Sequence, residues 1–148
     1  MNITQAGIDD VDVIATLFDD YRQFYQQASD PDGAKAFLSA RIAKKESVIF
    51  LATNNAGEAI GFTQLYPSFS SVSLQRRWIV NDLFVSEFAR QMGVANQLMQ
   101  TAEAFAKATG AGSLSLSTAV DNHKAQALYE KRQWQKNTTF YHYHKTVD

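Results

Sequence analysis

The 148-residue sequence contains no cysteine, and this absence excludes several classes of chemistry. Without cysteine the chain has no disulfide framework, no thiolate zinc site and no cysteine nucleophile. It also lacks a run of Lys or Arg, and its formal net charge is only −1. Nucleic acid is therefore not an expected partner, and a small molecule is favoured.

The sequence shows no signal peptide and no apolar run long enough to span a bilayer. We therefore expect a cytoplasmic protein without a membrane partner. With 45% hydrophobic residues, the chain has the size and composition of one domain, covering residues 1–148, with a single core.

Hydrophobic periodicity predicts an alternation of strands and helices. The predicted strands cover residues 2–6, 48–52, 59–66, 72–85 and 113–118, followed by an antiparallel pair near 134–136 and 140–146. The predicted helices cover residues 9–27, a shorter segment that ends at 44–45, 94 to about 110, and 122–132. Pro67 is expected to end its strand. Residues 72–118 read as a strand–helix–strand unit, so ligands are expected at the carboxyl ends of its two strands.

The most informative stretch is residues 80–96, where an apolar strand leads through a short loop into a helix. The start of this helix carries the pattern Arg90-x-x-Gly93-x-Ala95. The first backbone N–H groups of a helix lack intrahelical acceptors and lie at the positive end of the helix dipole. Because Gly93 and Ala95 are small, phosphate oxygens can approach these groups closely. The stretch predicts a pyrophosphate site; a tight strand-to-helix turn with no ligand is the alternative.

Two motifs resemble a known family. The pattern that begins at Arg90 is similar to the acetyl-CoA signature Arg/Gln-x-x-Gly-x-Gly/Ala of the GCN5-related N-acetyltransferase (GNAT) superfamily. Residues 122–131 read Asn-x-x-Ala-x-x-Leu-Tyr-Glu-Lys, which resembles a second segment of that superfamily. The resemblance covers about residues 50–143. Within the superfamily it is greatest to the small branch that contains the yeast histone, polyamine and D-amino-acid acetyltransferases.

The resemblance implies an α+β fold of the acyl-CoA N-acyltransferase type. A central mixed, mostly antiparallel sheet of six to seven strands would contain a splayed parallel pair and be flanked by about four helices. The implied activity is transfer of an acetyl group from acetyl-CoA to a small-molecule amine, by direct attack in a ternary complex. By the same analogy, the protein is expected to form a homodimer through its C-terminal strands.

The resemblance also assigns roles to individual residues. The expected catalytic groups are the Tyr129 hydroxyl, directed at the thioester sulfur, the backbone N–H groups of Phe84 and Val85 for the oxyanion, and Asp82. A phenol is a weaker acid than a thiol by about 1.5 pKa units, so Tyr129 is expected to act mainly as a hydrogen-bond donor. The residues expected to bind acetyl-CoA are Leu83, Phe84, Val85, Arg90, Gln91, Met92, Gly93, Val94, Ala95, Asn96, Asn122 and Tyr129.

The fate of the amine proton is left open by the sequence. An alkylamine with a pKa near 10.4 is protonated at pH 7, so Asp82 or water must accept a proton. Asp82 is either that acceptor, an anchor for the ammonium group, or a structural polar residue. Strand alternation puts it on the face opposite Asn81 and Leu83 unless a bulge intervenes. Six aromatic residues are expected to form either part of the core or the wall of an acceptor pocket: Phe18, Tyr21, Phe24, Tyr25, Tyr66 and Phe69.

Two positions depart from the family pattern. Gln133 stands where glycine is usual, so the turn is built differently there or Gln133 is strained. Met92 stands where Arg or Lys is common, which leaves more of the phosphate binding to backbone amides. His142 and His144 share one face of a predicted strand, but no third ligand is near in sequence, and no metal is expected. The alternative functions are a catalytically silent CoA-binding module and a protein or peptide acetyltransferase acting on histone-like lysines.

Overall fold

The computed structural model describes residues 1–148, which contain five strands and four α-helices. The chain divides into two compact units, Met1–Leu116 and Ser117–Asp148. No helix combines the length and apolar content that crossing a bilayer requires. In chain order the elements are β1 (Asn2–Gln5), α1 (Val11–Phe24), α2 (Pro31–Ala43), β2 (Val48–Thr53), β3 (Ala59–Ser70), β4 (Gln75–Val85), α3 (Val94–Ala108), β5 (Ser113–Ser115) and α4 (His123–Lys131).

One mixed sheet with strand order β1-β2-β3-β4-β5 forms the first unit. Neighbours from β1 to β4 are antiparallel, and β4 and β5 are parallel. The α+β class and the parallel pair are therefore confirmed. The sheet has five strands rather than six to seven, because residues 134–136 and 140–146 form no strand. The side chains of Phe140, Tyr141 and Tyr143 are exposed, so this segment has no buried face to stabilise a strand pair.

The prediction that Pro67 ends its strand is wrong, because β3 continues to Ser70. Pro67 lies opposite Trp78 of β4, whereas the pairing of β3 with β2 stops at Leu65. Beyond Leu65, β3 is therefore an edge strand on its β2 side. A residue without a backbone N–H is tolerated at such an edge.

Helices cover both faces of the sheet, and strand alternation determines which side chains meet them. On β2, Leu51 belongs to the core cluster formed with α1 and α2, whereas the neighbouring Phe50 packs against Phe105 of α3 at 5.4 Å between ring centroids. The face of α3 that meets the sheet is apolar, and five of its residues are buried: Val94, Leu98, Met99, Ala102 and Ala106. Burial of one large apolar side chain contributes about 1.5–3 kcal/mol, so this face fixes α3 firmly on the sheet.

Helix α4 ends in a turn that needs a positive φ. The Trp134 N–H donates to the Tyr129 carbonyl and the Gln133 N–H to the Glu130 carbonyl, both at 2.9 Å. This pair of bonds is a Schellman motif, and it places Gln133 at φ +68°. Of the two alternatives expected for Gln133, a differently built turn or a strained residue, the structure has the second.

Replacing Gln133 by glycine should stabilise the protein. We expect Gln133→Gly to raise the free energy of unfolding by about 1 kcal/mol, because glycine adopts a positive φ without a Cβ clash. Gln100→Gly, the same change on the exposed face of α3, is the matched control and should lower stability by about 1 kcal/mol. Urea unfolding followed by circular dichroism measures both. A Gln133→Gly variant that is less stable than the unmodified protein would contradict the claim that Gln133 is strained.

Candidate active site

A β-bulge in β4 determines where Asp82 lies. Leu65 of β3 pairs with Val80, but the adjacent Gln64 pairs with Asp82, so Asn81 is an extra residue without a partner on β3. Asp82 therefore shares the sheet face of Phe84, which packs on Tyr21 of α1. Without the bulge, it would lie on the α3 face with Val80.

The Asp82 carboxylate is buried among polar side chains and has no cationic partner. Asp82 is 6% exposed, and its carboxylate takes part in none of the ion pairs of the chain. Gln64 Nε2 donates to Asp82 Oδ2 at 2.8 Å, and Asn81 Nδ2 lies 3.2 Å from both carboxylate oxygens. Gln64 Oε1 is buried without a hydrogen-bond partner. The cluster thus combines an unneutralised negative charge with a free acceptor, which favours a cationic hydrogen-bond donor.

Two tyrosines border the Asp82 carboxylate. Burial is the main cause that raises the pKa of Tyr66 to about 12, and the nearby charge of Asp82 adds to it. The pKa of Tyr21 is raised further, by burial first and then by the charge of Asp82 and a hydrogen bond to it. Both hydroxyls are therefore neutral donors at physiological pH.

An opening between β4 and β5 leaves one edge of β4 free. The parallel pairing consists of Arg77 with Ser113, Trp78 with Leu114, and Ile79 with Ser115, and it stops there, although β4 continues to Val85. Because successive residues of a strand direct their backbone groups to opposite edges, every second residue of 80–85 presents its N–H and C=O groups to this opening. β5 pairs with none of these groups, and the Val85 carbonyl accepts from Arg90 Nε instead. The predicted splay of the parallel pair is therefore present, with Leu83, Phe84 and Val85 half-buried along it.

The other edge of β4 is held tightly at the same point. Gly61 of β3 pairs with Val85, and a Cβ at Gly61 would lie only 2.9 Å from the Phe84 carbonyl oxygen. The next residue, Ser86, donates its backbone N–H to the Ile60 carbonyl at 2.9 Å. Pairing with β3 therefore fixes β4 in place up to its end, while the edge toward β5 stays free.

The loop after β4 brings the chain into α3 with its first amides uncapped by a side chain. A 3-10 turn, Glu87–Ala89, is followed by two residues with positive φ, Gln91 at +64° and Gly93 at +80°. Gly93 is the N-cap residue of α3 and has no side chain that could cap the helix. Gln91, Met92 and Gly93 are exposed, Val94 is buried, and Ala95 and Asn96 are half-buried. Buried Val94 therefore anchors a helix start that its N-cap residue leaves uncapped, the kind of position at which anions bind.

Arg90, the only cation of this loop, is directed toward α1. Its Nε donates to the Val85 carbonyl at 3.0 Å, and its guanidinium lies 5.7 Å from the ring centroid of Phe24 and 5.8 Å from that of Phe84. Arg90 thus ties the loop to the end of β4. Its contacts are with the strand end and aromatic rings rather than with the start of α3.

The second motif lies in the unit Ser117–Asp148. The Asn122 side chain caps α4 by accepting from the Ala125 N–H at 3.2 Å. Tyr129 is half-buried, and its ring centroid lies 6.0 Å from that of Trp134. His142 and His144 are exposed. Asn122 is therefore the N-cap residue of α4.

Some residues of the site gave no usable signal in the sequence. Gln64 stands in the apolar run of β3, and nothing in that run marks it as the partner of Asp82. Ser86 lies between strand and loop and resembles any connecting serine. The predicted aromatic group is divided: Phe18 is core, Tyr21 borders Asp82, and Phe24 is exposed beside Arg90.

A free strand edge that leads into an uncapped helix start is an arrangement suited to an acyl-CoA thioester and its diphosphate. Comparison with known proteins agrees. A sequence model of the Acetyltransferase (GNAT) family matches residues 13–133. The chain belongs to this family, and it is an acyl-CoA-dependent N-acetyltransferase.

Several relatives support the same assignment. The chain is 52% identical over 143 residues to the uncharacterised N-acetyltransferase YhfO of Bacillus subtilis, covering 97% of this chain and 95% of the relative. It is 26% identical over 129 residues to the D-amino-acid N-acetyltransferase HPA3 of Saccharomyces cerevisiae, covering 84% and 79%. The crystal structure of a probable acetyltransferase has a TM-score of 0.94 and 43% identity, covering 100% of this chain and 99% of that one.

The tyrosines beside Asp82 give a testable pH dependence. Because the pKa of Tyr66 is raised from 10.0 to about 12, neutral Tyr66 stabilises the fold below pH 10, and this contribution is lost as the pH rises toward 12. Asp82→Asn removes the charge but not the burial, so the pKa of Tyr66 should fall yet stay above 10. Tyrosine absorbance titration, with Tyr66→Phe to assign the signal, measures this. An unchanged pKa of Tyr66 in Asp82→Asn would contradict the claim that the charge of Asp82 acts on Tyr66.

Proposed function

We propose that this protein transfers the acetyl group of acetyl-CoA to a primary amine of a small molecule, by direct attack of the amine in a ternary complex. The observation that carries the proposal is the continuity of one segment: the free edge of β4 leads through the loop to the uncapped start of α3. A thioester bound along the edge would have its diphosphate at the helix start.

The residues along this segment suit acetyl-CoA. The amide groups of its pantetheine arm would pair with the free backbone groups of residues 83–85, as an added strand does. Its diphosphate would accept hydrogen bonds from backbone N–H groups of residues 91–96, where Gly93 and Ala95 leave room for the oxygens. With Arg90 directed elsewhere, backbone amides supply most of this binding. We therefore assign the contacts with acetyl-CoA to Leu83–Val85 and to residues 91–96.

Asp82 is the group we assign to the acceptor amine. An ammonium group near Asp82 would neutralise the buried carboxylate and give Gln64 Oε1 a donor. The amine must be neutral to attack, so one proton passes from it to Asp82 or through Asp82 to water. Of the two backbone N–H groups expected to bind the oxyanion, we assign that of Val85. Ser86 donates its N–H to β3, so by alternation the N–H of Phe84 is directed to β3 as well and that of Val85 to the free edge.

Tyr129 is assigned to the departing thiolate, on the strength of the family motif. We expect Tyr129→Phe to keep its affinity for CoA and to lose about 10²–10⁴-fold in kcat, because the hydrogen bond to the leaving sulfur is removed while the aromatic ring is kept. Stopped-flow turnover and calorimetry with CoA separate the two. The matched control is Tyr141→Phe, an exposed tyrosine outside both motifs, which should leave kcat unchanged. A Tyr129→Phe enzyme with normal kcat would refute the assignment.

Thiol release from acetyl-CoA over a panel of amines tests the proposed function. The panel should include alkylamines, diamines and amino acids, and also D-amino acids, because the name of the yeast relative specifies them. Acetylation of at least one small amine, verified by mass spectrometry, is the expected result. CoA binding without turnover on any amine would favour a silent CoA-binding module, and turnover on lysine peptides alone would favour a protein acetyltransferase.

We also propose that residues 1–148 act as one acetyltransferase domain that forms a homodimer. The family match supports the first point, since it runs through both compact units. The exposed apolar side chains of the C-terminal segment support the second, because a partner chain could cover them: Phe140, Tyr141, Tyr143 and Val147.

A further inference from the structure

Gln64 is a fully buried polar side chain held against the Asp82 carboxylate. It is 0% exposed and is among the largest side chains that the core encloses completely. Its Nε2 donates to Asp82 Oδ2 at 2.8 Å, whereas Oε1 of the same amide is buried without a hydrogen-bond partner. A buried acceptor without a partner is costly, so its presence calls for an explanation. In this structure Gln64 uses only the donor end of its amide.

The other polar groups around Asp82 are also placed as donors. Asn81 Nδ2 lies 3.2 Å from both carboxylate oxygens. The titratable groups that face Asp82 are the hydroxyls of Tyr21 from α1 and Tyr66 from β3, and the positive charge of Arg41 from α2 acts on Tyr66. The polar neighbours of Asp82 can therefore all donate a hydrogen bond to its charged form.

The proposed reaction requires Asp82 to hold a proton for part of the cycle. An ammonium group loses two protons on becoming an amide. As the C–N bond forms and the C–S bond breaks, one proton passes to the departing sulfur of CoA, and the other passes to Asp82 and then to water. While Asp82 holds this proton, its O–H group is a buried donor that needs a hydrogen-bond acceptor.

We propose that Gln64 is the positioning residue of Asp82 and that its amide serves both protonation states of the carboxyl group. Nε2 donates to the carboxylate before proton transfer, and Oε1 accepts from the Asp82 O–H afterwards, once the amide has turned by half a revolution about its last side-chain bond. The two ends of an amide have nearly the same size, so this rotation requires no change in the packing around Gln64. The inference rests on the proposed function, because it takes Asp82 as the group that receives the amine proton.

Replacing Gln64 by methionine tests the proposal, because methionine has a similar length but no comparable donor or acceptor. We expect the acidic limb of kcat/KM to move up by about one pH unit, since removing a donor to a carboxylate favours its protonated form. Above this limb, kcat should remain about tenfold lower, because the Asp82 O–H has lost its hydrogen-bond acceptor. Mass spectrometry of the acetylated amine over a series of pH values measures both effects.

Thr63 provides the matched control. It is the neighbour of Gln64 on β3 and is also 0% exposed, but its hydroxyl donates to the backbone carbonyl of Asp82, at 2.8 Å, rather than to the carboxylate. Thr63→Val therefore removes a buried hydrogen bond to the same residue and should lower the free energy of unfolding while leaving the acidic limb in place. A limb that moves equally in Thr63→Val and Gln64→Met would show a general effect of packing and would overturn the inference.

The amide of Gln64 gives a second readout, which does not depend on whether the Gln64 variant folds. Its side-chain N–H signals can be assigned in the unmodified protein by triple-resonance NMR. We expect them to shift as the pH passes the midpoint of the acidic limb, because the hydrogen bond to Asp82 changes direction there. Asp82→Asn should remove this response.

The outcomes separate this inference from the proposed function. An acidic limb that a folded Gln64→Met leaves in place, or Gln64 amide signals that stay constant through the limb, would overturn the role of Gln64 while acetyl transfer stands. If no amine is acetylated, the proposed function fails, and this inference fails with it.

Discussion

The structure depends on one constraint: β4 must remain paired with β3 on one edge after it has separated from β5 on the other. Pairing with β5 ends at Ile79, whereas pairing with β3 continues to Val85. A strand with one fixed and one free edge is normally an aggregation risk, and proteins cover such edges. Here the free edge is short, and it faces the gap between the two parallel strands β4 and β5. A ligand that carries amide groups and can pair like a strand is the natural occupant.

The bulge at Asn81 links this edge to the carboxylate that we assign to the acceptor amine. By adding one residue between Val80 and Asp82, it moves a carboxylate from the α3 face to the α1 face. On that face the carboxylate has hydrogen bonds from Gln64 and Asn81 but no counter-ion. Burying a charge without a counter-ion is costly, so an acceptor that brings a positive charge is stabilised there. The same strand thus offers backbone groups at its edge and a negative charge on its face.

The parts that could be predicted from the sequence are those with a local signature. The small residues Gly93 and Ala95 mark the start of α3, and Asn122 marks the start of α4. The missing glycine at Gln133 indicated a turn that is either built differently or strained, and it is strained. Each depends on a few neighbouring residues, whose conformation is set by local sterics and hydrogen bonds. The family resemblance supplied the rest of the fold class.

The parts that could not be predicted depend on contacts between distant segments. The bulge depends on the register between β3 and β4, and no residue near Asn81 announces it. Pro67 was misread because its tolerance depends on where β2 ends. Gln64 acquires its role only from Asp82, so its own sequence neighbours carry no signal.

The most direct test of the account is calorimetric titration of CoA into the protein and two variants of α3. Ala95→Glu puts a bulky negative group at the start of the helix, and Ala104→Glu makes the same change on its exposed face. The account predicts saturable binding with one CoA per chain for the protein and for Ala104→Glu, and binding weakened at least tenfold in a folded Ala95→Glu. Absence of binding heat in the unmodified protein, or equal affinity in Ala95→Glu, would contradict the claim that the start of α3 holds the diphosphate.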